Sequence, residues 1–441
     1  MGLETHMGHI VNPNREYHLL QRRLDQKVTG APDSPTFTKI LKLLFTPEEA
    51  EVARRMPGRM TSLNALSHKL EIPENELNDK MTEMAKRGVV LDVEHNGQRY
   101  FGLPPVVIGL FEFTFMRARD DMPMAELSRL FEEYMYENDN FFRSVSAGKT
   151  QIFRALVREE ALVQGDHTEI LDWERASKIV TSASTIAVGL CQCHHSAMHL
   201  GTACDRPQET CLTLNHGAES MIRAGIARQI TSAEGMRILE QCKEAGLAQT
   251  GDNVQRKVTF ICNCCGCCCH LMRGIKTFDL PNAIVTSNWI MQVDLSKCKG
   301  CGKCAEICPV QAITILEQTD GEKKRRWAVC EERLCLGCGV CYSACKFGGV
   351  TMRPRSKRVF TPETAFDQMI SMAIERGKLA NLLFDDPEKL SHRAMARVVG
   401  VLEKSSPVKA AKAIEPLKST FLNMMVINAK KHSGEIGDLL T

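Results

Sequence analysis

Twenty cysteines constrain this 441-residue chain more than any other feature, because none lies before Cys191 and none after Cys345. Secreted disulfide proteins are usually short, with cysteines scattered through their loops. Here neighbours such as Cys262, Cys264 and Cys265 stand too close to bridge one another without strain. Grouped thiols at short spacing are metal ligands far more often than disulfides, and they need a reducing compartment to stay thiolates. Met1 to Pro13 lacks the apolar run of a signal peptide. The longest apolar stretch, Val106 to Phe111, falls far short of a membrane span. The expectation is a cytoplasmic protein of an anaerobic or low-oxygen cell.

Hydrophobic residues make up 44% of the chain and charged ones 25%, enough apolar content for several cores. The expected fold class is α+β multidomain. Residues 1–35 are polar, carry Pro13, Pro32 and Pro35, and read as an extended arm. Residues 36–115 read as helix, helix, helix, hairpin: Pro47 to Met56 capped by Thr46, Thr61 to Leu70, Pro73 to Arg87, then two strands around Asn96-Gly97. That order resembles a winged helix-turn-helix domain. A DNA-reading helix would present Glu74, Glu76 and Asp79 at its N-terminal end, where carboxylates repel phosphate. Residues 36–102 carry ten Lys/Arg against ten Asp/Glu, and the whole chain has a net charge of +3. Docking of a protein partner is therefore favoured over nucleic acid.

Residues 116–175 read as a helical connector, and the aromatics from Phe111 to Phe142 read as core rather than cofactor pocket. Residues 176–272 read as a mainly helical, Cys-rich metal-binding domain. It has a capping box at Thr231 to Glu234 and strand character only near Val258 to Ile261. Residues 361–441 are cysteine-free and read as a helical C-terminal region, with helices at Thr364 to Gly377, Pro387 to Glu403 and Ile414 to Lys430.

The most specific motif is Cys298-x2-Cys301-x2-Cys304-x3-Cys308-Pro309, which recurs as Cys335-x2-Cys338-x2-Cys341-x3-Cys345. The repeat extends past the cysteines: Gly300 matches Gly337, Gly302 matches Gly339, Asp294 matches Glu331, and Ile313 matches Val350. Residues 288–355 thus resemble the bacterial two-cluster ferredoxin domain. The resemblance implies one [4Fe–4S] cluster on Cys298, Cys301, Cys304 and Cys345, and another on Cys335, Cys338, Cys341 and Cys308, since the fourth cysteine of each run serves the other cluster. Two departures stand out: Lys346 replaces the second proline, and an insertion, Glu317 to Arg326, carries Lys323, Lys324, Arg325 and Arg326. The basic insertion reads either as a dock for an acidic redox partner or as a solvated loop. Cys330 falls outside the motif and reads as a buried or incidental thiol.

Ten of the remaining cysteines form two groups. One is Cys191, Cys193, Cys204 and Cys211, with His194 beside it; the other is Cys262, Cys264, Cys265, Cys267, Cys268 and Cys269, followed by His270. Cys242 sits between them and reads as packing. Whether the second group is helical or extended, adjacent cysteines point apart, so a single ligand set does not use all six easily. The segment therefore serves two metal sites, or one site plus redox-active thiols. One or two further iron–sulfur clusters built jointly from both groups are favoured over zinc or a dithiol centre. Residues 165–355 resemble a family of iron–sulfur proteins of anaerobic bacteria, through Cys191-Gln-Cys193-His194, Cys204-Asp-Arg-Pro207 and Cys262-Asn-Cys264-Cys265-Gly-Cys267-Cys268-Cys269. His194 stands where that family has arginine, which leaves open a ligand or a hydrogen-bonding role.

The sequence carries no dinucleotide fingerprint and no hydrolytic triad. It reads as an electron-transfer protein or oxidoreductase subunit whose partner, a flavoprotein or another oxidoreductase, supplies the substrate chemistry. The alternatives are an oxidoreductase with its active site at the second cysteine system, and a redox-sensing winged-helix regulator.

Overall fold

The computed structural model describes residues 13–162, 170–320, 323–386 and 388–404. The helix expected over Ile414 to Lys430 and the first residues of the arm lie outside them. Helix α1 (Arg15–Asp25) buries Leu20 and Leu24 completely, so this part of the arm is packed helix rather than extended chain. The apolar spacing Tyr17, Leu20, Leu24 is a helical stripe, hidden in the sequence by the charged residues between.

Prolines open the next two helices, α2 (Pro35–Leu44) and α3 (Pro47–Arg55). Ser34 caps the first, and Thr46 with Glu49 forms a full capping box on the second. Strand β1 (Thr61–Ser62) comes next, followed by α4 (Leu63–Leu70), α5 (Glu74–Lys86), β2 (Leu91–His95) and β3 (Gln98–Gly102). Thr61 and Ser62 were expected to open a helix. They pair instead with Phe101 and Tyr100, which completes an antiparallel sheet of order β1-β3-β2. The hairpin register closes at His95 and Gln98, with Asn96 and Gly97 at φ 51° and 74°, as a two-residue turn between right-twisted strands requires.

Helices α6 (Phe111–Phe115), α7 (Met124–Tyr136) and α8 (Asn140–Val145) follow. Their aromatics fill one core with α1 to α5; Phe111 stacks on Phe131 at 4.1 Å between centroids. The connector does not stay helical. Its end forms β4 (Phe153–Ala155), an edge strand of the next sheet.

The middle region was expected to be mainly helical; it is instead built on a six-stranded antiparallel sheet of order β4-β8-β9-β6-β5-β7. The chain runs α9 (Ala176–Ser182), β5 (Ile186–Leu190), α10 (Gln192–His199), β6 (Glu209–Leu214), α11 (Asn215–Arg223), β7 (Arg228–Gln229), α12 (Ser232–Glu244), β8 (Ala248–Asp252), β9 (Phe260–Cys264) and α13 (His270–Phe278). Strand β8 shows why the pattern misleads. Its sequence Ala-Gln-Thr-Gly-Asp has no run of strand formers, yet all of it is buried, held by ladders to β4 and β9 and by the 2.8 Å bond from Thr259 Oγ1 to Asp252. The box at Thr231 is half formed: Thr231 accepts from Glu234 N–H, while the Glu234 carboxylate turns to Arg228 at 2.7 Å.

The duplicated region folds as β10 (Trp289–Val293), α14 (Lys303–Ile307), β11 (Ile313–Asp320), β12 (Lys323–Cys330), α15 (Val340–Ala344) and β13 (Val350–Pro354). Strands β10 and β13 pair antiparallel, and the insertion is part of the β11–β12 hairpin. The internal repeat survives in the hydrogen bonds: Cys298 N–H donates to Asp294 O, and Cys335 N–H to Glu331 O. Helices α16 (Ala365–Glu375), α17 (Leu379–Leu383) and α18 (Leu390–Lys404) then turn back toward the N-terminal region. Arg376 donates to Val28 O and Val145 O, each at 2.9 Å, and Arg23 to Asp385 O at 2.6 Å. No helix among the described residues is long and apolar enough to cross a membrane.

Candidate metal centres

The duplicated region places its eight motif cysteines in two sets. Cys298, Cys301, Cys304 and Cys345 line one cavity of about 20 Å³, and Cys308, Cys335, Cys338 and Cys341 line another of the same size. Each cavity is thus lined by one of the two cysteine groupings that the resemblance implies. Loop glycines make room for it. Gly300 has φ 61°, and a Cβ there would come within 2.6 Å of the Arg326 backbone. Main-chain donors point at sulfur, as where Ala312 N–H meets Cys308 Sγ at 3.3 Å. Soft sulfur ligands around small cavities, with N–H donors beside them, fit an iron–sulfur cofactor. The sets differ in exposure: Cys301 is exposed, whereas Cys335, Cys338 and Cys341 are buried. Beside the first cavity, Phe347 is half exposed.

The second cysteine group is neither all helix nor all strand. Cys262 and Cys264 alternate on β9, residues 265–268 turn, and Cys269 caps α13. The change of backbone sorts the ten cysteines of the second system into two neighbourhoods.

In the first, Cys204 meets the turn. The sulfurs of Cys204, Cys265, Cys267 and Cys268 all lie within 4.8 Å of one another. Adjacent cysteines were expected to point apart, but in this turn Cys267 and Cys268 converge to 3.9 Å.

The second neighbourhood is a chain of thiol contacts along one cavity. Cys211 meets Cys262, Cys262 meets Cys264, Cys264 meets Cys269, Cys269 meets Cys193, and Cys193 meets Cys191. All six line a cavity of about 130 Å³; Cys265 and Cys268 also reach its wall from the turn. Its other walls are largely apolar, including Phe111, Phe113, Phe141 and Phe142. The aromatic stripe is thus core and chamber wall at once, not core alone as expected.

Thiols this crowded do not all ionise without a cation. Hydrogen bonding to Cys191 and Cys269, together with burial, pushes the Cys193 thiol well up, while the Cys193 and Cys264 donors hold Cys269 well down. A metal centre would convert the set to thiolates. Polar residues also line the chamber: Glu112, Gln192, His194, Thr210, Thr213, Thr250, Asn263 and His270. Thr250 Oγ1 lies 3.6 Å from Cys264 Sγ. Glu112 accepts from Gly109 N–H at 2.8 Å, and burial pushes its carboxyl up to about 7 against that bond. His270 is pushed down to about 4 by burial, and both its ring nitrogens lack a hydrogen-bond partner among the described residues. Its backbone N–H points at Cys193 Sγ, 3.5 Å away.

The remaining residues fall outside these sets. His194 Nε2 is engaged by Cys204 O at 2.6 Å and stands 3.9 Å from Cys204 Sγ, a positioning contact. His195 and His199 bond to each other, and His195 also to Phe115 O. Cys242 is fully buried on α12 within the middle core. Cys330 ends β12 only partly buried and contacts Cys335, so it borders the second ferredoxin set rather than standing apart. Sequence reasoning missed Glu112 and Thr250, which belong to segments without a motif, and gave no role to Arg206 inside Cys204-Asp-Arg-Pro207. The one signal for Arg206 is its place beside Cys204 and Asp205.

The scan against protein-family models matches residues 297–349 to a 4Fe–4S dicluster domain. No curated protein and no solved structure matches the chain. The duplicated region is therefore similar to a domain that carries two [4Fe–4S] clusters, and with the cysteine-rich site beside it the chain has the capability for iron–sulfur electron transfer.

Proposed function

We propose that this chain relays electrons through two ferredoxin-type [4Fe–4S] clusters, held by the two crossed cysteine sets, to or from a further iron–sulfur centre in the six-cysteine chamber. The carrying observation is the continuity of one apolar core. Cys304, Cys335, Cys338 and Cys341 belong to it together with Cys269, and Cys193 and Cys264 pack against it. Seven of the eight ferredoxin-type cysteines and three of the six chamber cysteines thus border one apolar interior. Clusters bound there supply one-electron transfer.

The residues around the sets suggest a direction of access. Cys301 and Phe347 form an exposed edge beside the exposed Lys299, at which an acidic redox partner docks. On the β11–β12 hairpin, Lys324 lies 3.2 Å from Glu317 and Arg326 3.6 Å from it, so the basic insertion is partly neutralised and less suited to that role. The N-terminal helices and hairpin, read as a winged helix, serve as a docking module in the cytoplasm. The partner is a flavoprotein or another oxidoreductase.

A second reading, an oxidoreductase with its active site in the chamber, is favoured by Glu112 and His270. They place an acid near neutrality and a buried imidazole, its Nδ1 3.7 Å from the Glu132 carboxylate, beside the thiols. Anaerobic iron and sulfide analysis separates the ligand sets. Two clusters account for about eight irons, and a centre in the chamber raises this to about twelve or more. Cys264→Ser should remove the excess and leave the ferredoxin EPR signal. Eight irons in the unaltered chain, or loss of the ferredoxin signal alone, refutes the relay.

A further inference from the structure

The four thiols around the turn differ from the other sets in how closely they gather. Cys204 Sγ lies 3.9 Å from Cys265 Sγ and 3.7 Å from Cys268 Sγ, and Cys267 Sγ lies 3.9 Å from Cys268 Sγ. Four sulfurs each about 2.3 Å from one ion at the centre of a tetrahedron sit about 3.8 Å apart. A cubane spreads its thiolates further, because each is bonded to a different corner iron and the sulfur–sulfur edges lengthen with the iron–iron separation. Neither ferredoxin set gathers within the 4.8 Å that encloses these four, and among the described residues no other cysteine group does.

We infer that Cys204, Cys265, Cys267 and Cys268 form a mononuclear tetrathiolate site that holds Zn²⁺, separate from every iron–sulfur centre of the chain. Four protein sulfurs close the tetrahedron and leave no open position, which is the arrangement of a structural zinc site. Binding takes the four residues as thiolates, releases to solvent whatever thiol protons remain, and leaves a net charge of −2 on the complex. Donors stand ready for that charge. Cys268 N–H points at Cys265 Sγ at 3.3 Å, and the Arg206 guanidinium reaches Cys267 Sγ at 3.5 Å. Arg206 is itself held by Ala245 O at 3.0 Å. Such outer contacts orient ligands and disperse their charge.

The location gives the site a task. Cys204 lies in the irregular stretch between α10 and β6, far along the chain from the turn. The turn presses on the ferredoxin-like region, because Gly266 packs against the backbone of Pro309, the residue after Cys308. Joining Cys204 to the turn fixes one wall of the six-cysteine chamber against the second ferredoxin set. It also leaves six thiols, and not ten, for the chamber.

The full chain, purified anaerobically, tests this by zinc and iron analysis together with zinc K-edge absorption. The expected result is about one zinc per chain, in a shell of four sulfurs at about 2.3 Å with no iron neighbour. Cys267→Ser, at an exposed position, should abolish stoichiometric zinc while the iron content stays unchanged. If that variant fails to fold, replacement of the native metal by Co²⁺ in the unaltered chain still decides, through the intense thiolate-to-cobalt bands of a tetrathiolate site. Absence of zinc, a mononuclear iron in its place, an iron shell around the zinc, or a loss of about four irons in Cys267→Ser each overturns the inference. The relay is tested apart from this site by Cys264→Ser, which removes the chamber iron and leaves the zinc in place.

Discussion

Gly266 offers the sharpest perturbation. It separates Cys265 from Cys267, and a Cβ added there would lie 2.5 Å from Pro309 O, 2.8 Å from Pro309 Cα and 3.0 Å from Pro309 C. Real Cβ atoms essentially never come closer than 3.0 Å to a neighbour, and these neighbours are backbone, which no rotamer change can move aside. Gly266 has no left-handed φ, so the penalty of Gly266→Ala is steric alone. Overpacking of this kind costs about 1–3 kcal/mol. Relief requires the turn and the Cys308–Pro309 segment to separate by several tenths of an ångström. Gly400→Ala is the control: nothing lies within 4 Å of its Cβ, and alanine in a helix is favoured by about 1 kcal/mol. Anaerobic thermal melts should show Gly266→Ala a few degrees less stable than the parent and Gly400→Ala unchanged or more stable. EPR of the reduced protein should show altered coupling between centres in Gly266→Ala only. A Gly266→Ala protein that melts and couples like the parent would refute the close docking of the turn on the ferredoxin-like region.

Glu112 makes stability depend on pH. Its carboxyl stands at about 7 in the fold against 4.5 as a free side chain, so between those values the folded chain holds a proton that the unfolded chain has released. Stability is therefore highest below the lower value and falls as pH rises to the upper one, by at most about 3 kcal/mol. Glu112→Gln keeps an acceptor for Gly109 N–H and should flatten that slope in denaturant titrations, whereas an unchanged slope would place the titration elsewhere. Arg376 holds α16 to the N-terminal region through Val28 O, Val145 O and, at 3.0 Å, Ala147 O. Arg376→Met leaves these carbonyls without their charged donor and should cost about 2–4 kcal/mol, read as a lower denaturant midpoint with the iron content retained.

The ferredoxin-like region was legible because its chemistry fixes its spacing. Eight cysteines at set intervals, with glycines where the loops need them, leave little freedom in how the chain wraps. The N-terminal order was legible through the Thr46 cap and the Asn96-Gly97 turn, whereas the Ser34 cap fell in the stretch read as an extended arm. The middle sheet was not. Strands Ala248–Asp252 and Arg228–Gln229 together hold one β-former, Thr250, and their pairing with distant partners, rather than local propensity, makes them strands. The division of ten cysteines into four and six was out of reach for the same reason. It depends on where a strand stops at Cys264 and a helix starts at His270, and on tertiary packing that takes Cys204 to the turn and Cys211 to the cavity. Glu112 and Arg206 gain their places only through that packing.

The central claim is that electrons pass between the ferredoxin-like sets and a centre in the six-cysteine chamber. Anaerobic reductive titration followed by EPR counts the one-electron acceptors of the chain directly. The account predicts about three or more electrons per chain, the additional acceptor magnetically coupled to a ferredoxin-type cluster and lost in Cys264→Ser. Uptake of only about two electrons, with the same titration curve in Cys264→Ser, would contradict it.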